Sequence, residues 1–194
     1  MFYFEDLIAT VRVRQSKKDE QDNEADWKVN IFHFNDDLCP SGALNWHVHE
    51  YPGYGIRAID AALDTSAPAC AADVTGGHYD PTFACGPASQ NNANGVCPIL
   101  RTTPQAPAGT GVVKTDDSYA ACQPDNQSSC EVGDQSGKLG KLTTSSYRSQ
   151  RFVDTWMTPI DSTLFGRSLV LHCCYTKDDG TTSCGPRLAC ANLE

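Results

Sequence analysis

Asn45-Trp46-His47-Val48-His49-Glu50 sets two imidazoles on either side of one apolar residue. On a β-strand alternate side chains share a face about 6.5 Å apart, so both rings can reach one metal ion while Val48 points into a core. The chain has five histidines. His78 stands in Gly76-Gly77-His78-Tyr79-Asp80-Pro81, a tight turn whose paired glycines let the backbone come close to whatever the imidazole binds. His172 closes the apolar run Ser168-Leu169-Val170-Leu171-His172, and Gly185-Pro186-Arg187-Leu188-Ala189-Cys190 puts an arginine beside a cysteine. His33 is the exception. Its phase depends on whether the strand register is kept past Phe32, and a surface or packing role suits it.

These groups need strands to carry them. Leu7–Val13 is a β-branched run, and Trp27–Phe34 alternates large apolar with polar residues, the half-buried strand pattern. The polar stretch Gln15–Glu24 between them cannot be core and is expected to be a mobile loop or linker. Residues 51–140 are dominated by Gly, Pro, Ala, Asn, Asp and Cys and form one long looped region, with Cys70, Cys85, Cys97, Cys122 and Cys130 as staples. Strand character returns at Arg151–Met157 and Ser168–His172. Short strands, many turn residues and long connections predict an all-β sandwich or barrel.

A length of 194 residues suits one domain, residues 1–194, with no internal repeat. Fifteen basic against twenty-four acidic residues leave a net charge of −9. No Lys/Arg-rich run suggests phosphate neutralisation, which argues against nucleic acid and anionic membrane, and no apolar run is long enough for a membrane span. Ten cysteines imply disulfides formed in an oxidising compartment. The opening Met1-Phe2-Tyr3-Phe4-Glu5 does not read as a signal peptide. The expectation is an extracellular protein whose signal has been removed, or one repeat of a longer chain. Asn126-Gln127-Ser128 fits the N-glycosylation pattern, a triplet that chance also produces.

Taken in order, the His-Val-His strand, the Gly-His-Asx-Pro turn, Gly166-Arg167-Ser168-Leu169-Val170-Leu171-His172 and Arg187-Leu188-Ala189-Cys190 resemble the copper–zinc superoxide dismutase superfamily. The likeness spans residues 27 to 191 and leaves 1–26 poorly matched, so one edge of the fold could be open. It implies an all-β, flattened Greek-key β-barrel, an immunoglobulin-like sandwich with long disulfide-stapled loops. It also implies that His47, His49, His78 and His172 bind copper, that Arg187 guides an anionic substrate, and that Cys70 pairs with Cys190 to pin the His78 loop.

Two departures refine that expectation. No histidine lies between 78 and 172, so the two further histidines of the zinc-containing branch are missing. In their place Cys130-Glu131-Val132-Gly133-Asp134-Gln135-Ser136-Gly137-Lys138-Leu139-Gly140 resembles the signature of copper-only superoxide dismutases and of the repeat proteins built from such domains. Glu131 would then accept a hydrogen bond from the far nitrogen of His78, orienting the ring as zinc would otherwise do, and Asp134 would stabilise its loop. The segment from His172 to Arg187 is short, which implies a copper more open to solvent. It carries Cys173, Cys174 and Cys184; the vicinal pair should take different partners, with Cys174–Cys184 a suggested bridge.

The implied reaction is copper-dependent conversion of superoxide to dioxygen and hydrogen peroxide without zinc, with His78 as proton carrier. The net charge opposes an anionic substrate, but a screening length of about 8 Å makes any steering local to Arg187. Arg187 has a second reading as a tie for a C-terminal strand, and Glu131 and Asp134 as turn-capping carboxylates. The main rival function is a non-catalytic extracellular copper-binding, storage or structural protein with this fold, associating with neighbouring repeats or with itself. A cupin-type metalloenzyme would want a glutamate where Gly53 and Tyr54 stand.

Overall fold

A computed structural model describes residues 2–3, 7–15, 24–53, 70–98, 122–145, 147–157, 164–177, 180 and 182–194. Most of the polar stretch expected to be mobile, residues 16–23, lies outside the described residues, as does much of the long looped region. Two four-stranded sheets, antiparallel throughout, account for most of the regular structure. The first takes the order β1-β2-β3-β6, from β1 (Phe2–Tyr3), β2 (Leu7–Gln15), β3 (Ala25–Phe34) and β6 (Arg148–Asp154). The second takes the order β5-β4-β7-β8, from β4 (Ala43–His49), β5 (Leu142–Thr143), β7 (Ser168–Thr176) and β8 (Thr182–Asn192). Helices are short: α1 (Ala72–Thr75), α2 (Gln90–Ala93) and α3 (Gln135–Leu139). Among the described residues no helix is long and apolar enough to cross a membrane.

The period-two pattern explains the packing. Trp27, Val29 and Ile31 of β3 and Leu44, Trp46 and Val48 of β4 are buried in one core cluster between the sheets. Trp46 packs edge-on to Trp27 with ring centroids 5.4 Å apart and meets Phe152 at 5.2 Å. Such aromatic pairs add about 0.5–1.5 kcal/mol each beyond the area they bury. Val48 therefore faces the core and His47 and His49 face away from it. The N-terminal segment, poorly matched in sequence, is a full partner: β2 pairs with β3 from Leu7↔Phe34 to Gln15↔Ala25.

A β-bulge settles His33. The register passes from Ile8↔His33 to Ala9↔Ile31, leaving Phe32 as the extra residue. Phe32 and His33 are consequently both exposed while Phe34 returns to the core.

All ten cysteines are bonded, as Cys39–Cys173, Cys70–Cys190, Cys85–Cys97, Cys122–Cys130 and Cys174–Cys184. The vicinal Cys173 and Cys174 take different partners because they lie on opposite faces of β7. Cys70–Cys190 closes a loop of 120 residues. In the chain-entropy account a closure of that size contributes about 4–5 kcal/mol.

Candidate metal centre

The outer edge of β4 decides where the imidazoles go. On its other side β4 pairs with β7 from Leu44↔Cys173 to His49↔Ser168, whereas β5 covers only Ala43 and Leu44. Loop groups take up the rest of that edge. Ser136 Oγ accepts from Trp46 N–H at 2.6 Å and donates to Trp46 C=O at 3.2 Å. Val48 N–H donates to Gly133 C=O at 2.9 Å and also lies 3.1 Å from Gln135 Oε1. Val48 C=O accepts from Tyr79 N–H, and Glu50 N–H donates to Gly77 C=O. The loops that bring His78 and Glu131 are thus docked on the strand that carries His47 and His49.

Close approach explains two glycines. A Cβ at Gly133 would lie 2.3 Å from Val48 O and 2.8 Å from Tyr79 N. Gly76 has φ +73°, in the left-handed region, and a Cβ there would strike Gln90 Oε1 at 2.6 Å and the Tyr51 ring at 2.9 Å. Asp80 organises the turn after His78: its carboxylate accepts from Ala84 N–H, Cys85 N–H and Ser89 Oγ–H at 2.7–2.8 Å.

Four rings converge. His47 lies 4.1 Å from His78 and 5.0 Å from His172, and His49 lies 5.3 Å from His78 and 5.9 Å from His172, between centroids. Ligand atoms of His47, His49 and His172 are all within 4.8 Å of one another. On each ring the outward nitrogen has a partner. Nδ1 of His49 donates to Gly76 C=O at 2.8 Å, and Nδ1 of His172 to Gly185 C=O at 3.1 Å. Nε2 of His47 faces Asp134 Oδ1 at 3.5 Å, and Nδ1 of His78 meets Glu131 Oε2 at 2.5 Å. The carbonyl acceptors set the tautomers of His49 and His172 and leave Nε2 of each with its lone pair. Nδ1 of His47, Nε2 of His49 and Nε2 of His172 are buried without a hydrogen-bond partner among the described residues. Orphaned buried acceptors aimed at one point carry a desolvation cost that coordination to a cation removes, so the residues fit a metal ion.

Protonation states agree with that fit. Burial, then repulsion from the neighbouring rings, holds His47 and His49 well below the ordinary imidazole range, and burial pushes His172 down to about 4. These rings are neutral at pH 7, as metal ligation requires. His78 differs. Burial opposes its charged form, but the Glu131 carboxylate overrides this and raises it, while burial raises Glu131.

Two other groupings behave differently. Cys85 and Cys97 lie beside Asp80, but their sulfurs are bonded to each other and Asp80 already serves three donors. His78, Glu131 and Asp134 also bring ligand atoms within 4.8 Å of one another; here His78 Nδ1 meets Glu131 Oε2, and Asp134 faces His47 and accepts from Gly137 N–H at 2.8 Å as the cap of α3.

Arg187, half-buried on β8 opposite His172, donates to the carbonyls of Cys70, Ala71 and Gly76 at 2.8–3.3 Å and to Thr75 Oγ1. It therefore braces the loop behind Cys70–Cys190 and places a guanidinium among the rings, whose titration it affects. Sequence reasoning missed Ser136 and Gln135 as edge partners of β4, and missed Lys138. Lys138 is fully buried with Nζ 2.5 Å from Asp154 Oδ2 and 3.0 Å from Trp156 C=O, tying α3 to β6. Their polarity suggested surface; only the docked loop gives them partners. No protein-family model matches the chain, and no curated protein matches it in sequence.

Proposed function

We propose that this protein is a copper-only superoxide dismutase, converting superoxide to dioxygen and hydrogen peroxide in an extracellular, oxidising setting. The observation that carries this reading is the set of buried, unpartnered inward nitrogens on His47, His49 and His172, joined by a fourth ring, His78, whose far nitrogen is held by Glu131. His47, His49, His78 and His172 would hold the ion. Copper, when bound, supplies the one-electron couple that the two half-reactions need.

The remaining roles belong to the chain. Glu131 fixes the His78 ring and keeps a proton at its Nδ1, where a zinc ion stands in the better-known branch of the superfamily; no zinc is required on this reading. Asp134 caps α3 and steadies the loop bearing Glu131. Arg187 presents positive charge to an anion, with its fork held by carbonyls so that it cannot collapse onto a carboxylate. The five disulfides support an extracellular location. Consecutive strands change sheet from β3 to β4, from β5 to β6 and from β6 to β7, which supports a flattened Greek-key barrel formed by one domain.

Metal analysis after copper and zinc loading, followed by superoxide decay in pulse radiolysis, tests this. The expected result is one copper, no zinc, and fast decay that depends on copper. Bound copper without acceleration would assign the chain to the storage or structural reading; no bound copper would sink both.

A further inference from the structure

The strand register assembles a basic row that no stretch of the sequence displays. Arg12 of β2, Lys28 of β3 and Arg151 of β6 are direct cross-strand neighbours, Arg12↔Lys28 and Lys28↔Arg151. They share the face opposite the buried Trp27, Val29 and Ile31. Arg12 and Arg151 are exposed, Lys28 is partly so, and Arg14 extends the row one step along β2. Asp26, opposite Arg14, is the acidic member of this face among the described residues. None of Arg12, Lys28 and Arg151 has an ion-pair partner among the described residues.

Like charges directly opposite one another on a sheet repel, and nothing in the fold requires these three to be cationic. On a chain of net charge −9 such a row stands out as a local field of the opposite sign. Neighbouring strands lie about 4.8 Å apart, so the row presents positive charges at regular spacing across roughly 10 Å of the sheet face. The next row, Thr10↔Asn30↔Ser149, adds hydroxyl and amide groups able to bond to sugars or acidic oxygens. Because His47 and His49 face outward from the other sheet, an occupant here leaves the candidate metal centre open.

We infer that the outer face of the β2-β3-β6 sheet binds an extended anionic polysaccharide, one carrying sulfate or carboxylate groups along its length. Regular spacing on a polar face suits a repeating polyanion, and five disulfides are typical of the extracellular setting in which such polymers occur. This does not depend on the dismutase reading.

The test uses the folded 194-residue chain on immobilised dextran sulfate and polygalacturonate, which separate sulfate from carboxylate recognition. The unaltered chain should be retained on at least one at low salt and released as salt rises. An Arg12→Gln/Lys28→Gln/Arg151→Gln variant should lose at least about tenfold in affinity, with each substitution lowering the salt slope by about one. Its circular dichroism should be unchanged, and Lys28→Gln alone gives a milder reading on the same slope should the triple variant fold poorly. The proposal fails if neither polymer retains the protein, if the triple and single variants elute like the unaltered chain, or if duplex DNA binds more tightly than both polymers at matched salt. Concentration-dependent self-association abolished by the triple variant, with no polymer binding, would also overturn it.

Discussion

Nδ1 of His78 stands 2.5 Å from Oε2 of Glu131, with both side chains buried. A contact this short between an imidazole and a carboxylate orients the ring more firmly than a neutral acceptor could. Glu131→Ala should therefore leave His78 free to turn, costing about 10–100-fold in copper affinity or superoxide decay rate. Glu131→Gln, which keeps an acceptor but not the charge, should fall between. Copper titration and pulse radiolysis on the two variants check the order, and equal behaviour of Ala and wild type would refute the role.

Arg187 serves four acceptors at once. Arg187→Lys keeps the charge but cannot span them, so it should bind copper and slow the reaction. Arg187→Ala should slow it further and also loosen the Cys70 loop. An unchanged rate constant in Arg187→Ala, with copper bound, would leave the residue a purely structural brace.

The depressed imidazoles give the metal-free chain a pH dependence of known sign. An unfolded histidine titrates near 6.5, whereas His172 in the fold titrates at about 4 and His47 and His49 are held low as well. Below about pH 6.5 the unfolded chain binds protons that the fold refuses, so stability should fall as pH drops from there towards 4, by up to about 1.4 kcal/mol per pH unit for each ring. His78, raised by Glu131, works in the opposite sense, adding stability below its unfolded value that is lost as pH rises through its folded value. Three rings outweigh one. Urea midpoints measured in chelator across this range should decline with acid, and a flat profile would contradict the burial of these rings.

Lys138 and Asp154 form an ion pair with no exposed side-chain surface. Lys138→Met strands the Asp154 carboxylate in the core and should cost about 3–5 kcal/mol, whereas pairing it with Asp154→Leu should recover much of the loss. Denaturant unfolding of the single and double variants measures the coupling.

Gly133→Ala should act on the centre without touching a ring. The added methyl meets Val48 O at 2.3 Å, so either β4 or the Glu131 loop must shift. A loss of about 1–3 kcal/mol is expected, together with weaker copper binding. Normal copper affinity in a destabilised variant would show that the loop and the rings are independent.

Local pattern carried much of this structure. The alternation from Trp27 marked β3 as a half-buried strand, and His47 and His49 emerge on one face because β4 keeps its period of two. What escaped was set by neighbours distant in the chain. A surface role for His33 was legible, but the bulge opposite Ile8 that produces it was not; the burial of Lys138 follows from Asp154, and the adjacency of Arg12, Lys28 and Arg151 from register alone. β8 was harder to see because Gly185 and Pro186 interrupt its apolar pattern, while pairing with β7 holds it extended. Ser136 and Gln135 look like loop polars until the uncovered half of β4 shows what their side chains must replace.

The lining of that strand's outer edge by Ser136, Gly133 and Tyr79 reaches beyond metal binding. One face of β4 is apolar, with Leu44, Trp46 and Val48, and a strand of that kind recruits other chains when its ladder is bare. The docked loop denies it a template, and Cys122–Cys130 tethers that loop just upstream. Reductants that open this bridge would loosen the cover and leave that edge as an aggregation hazard.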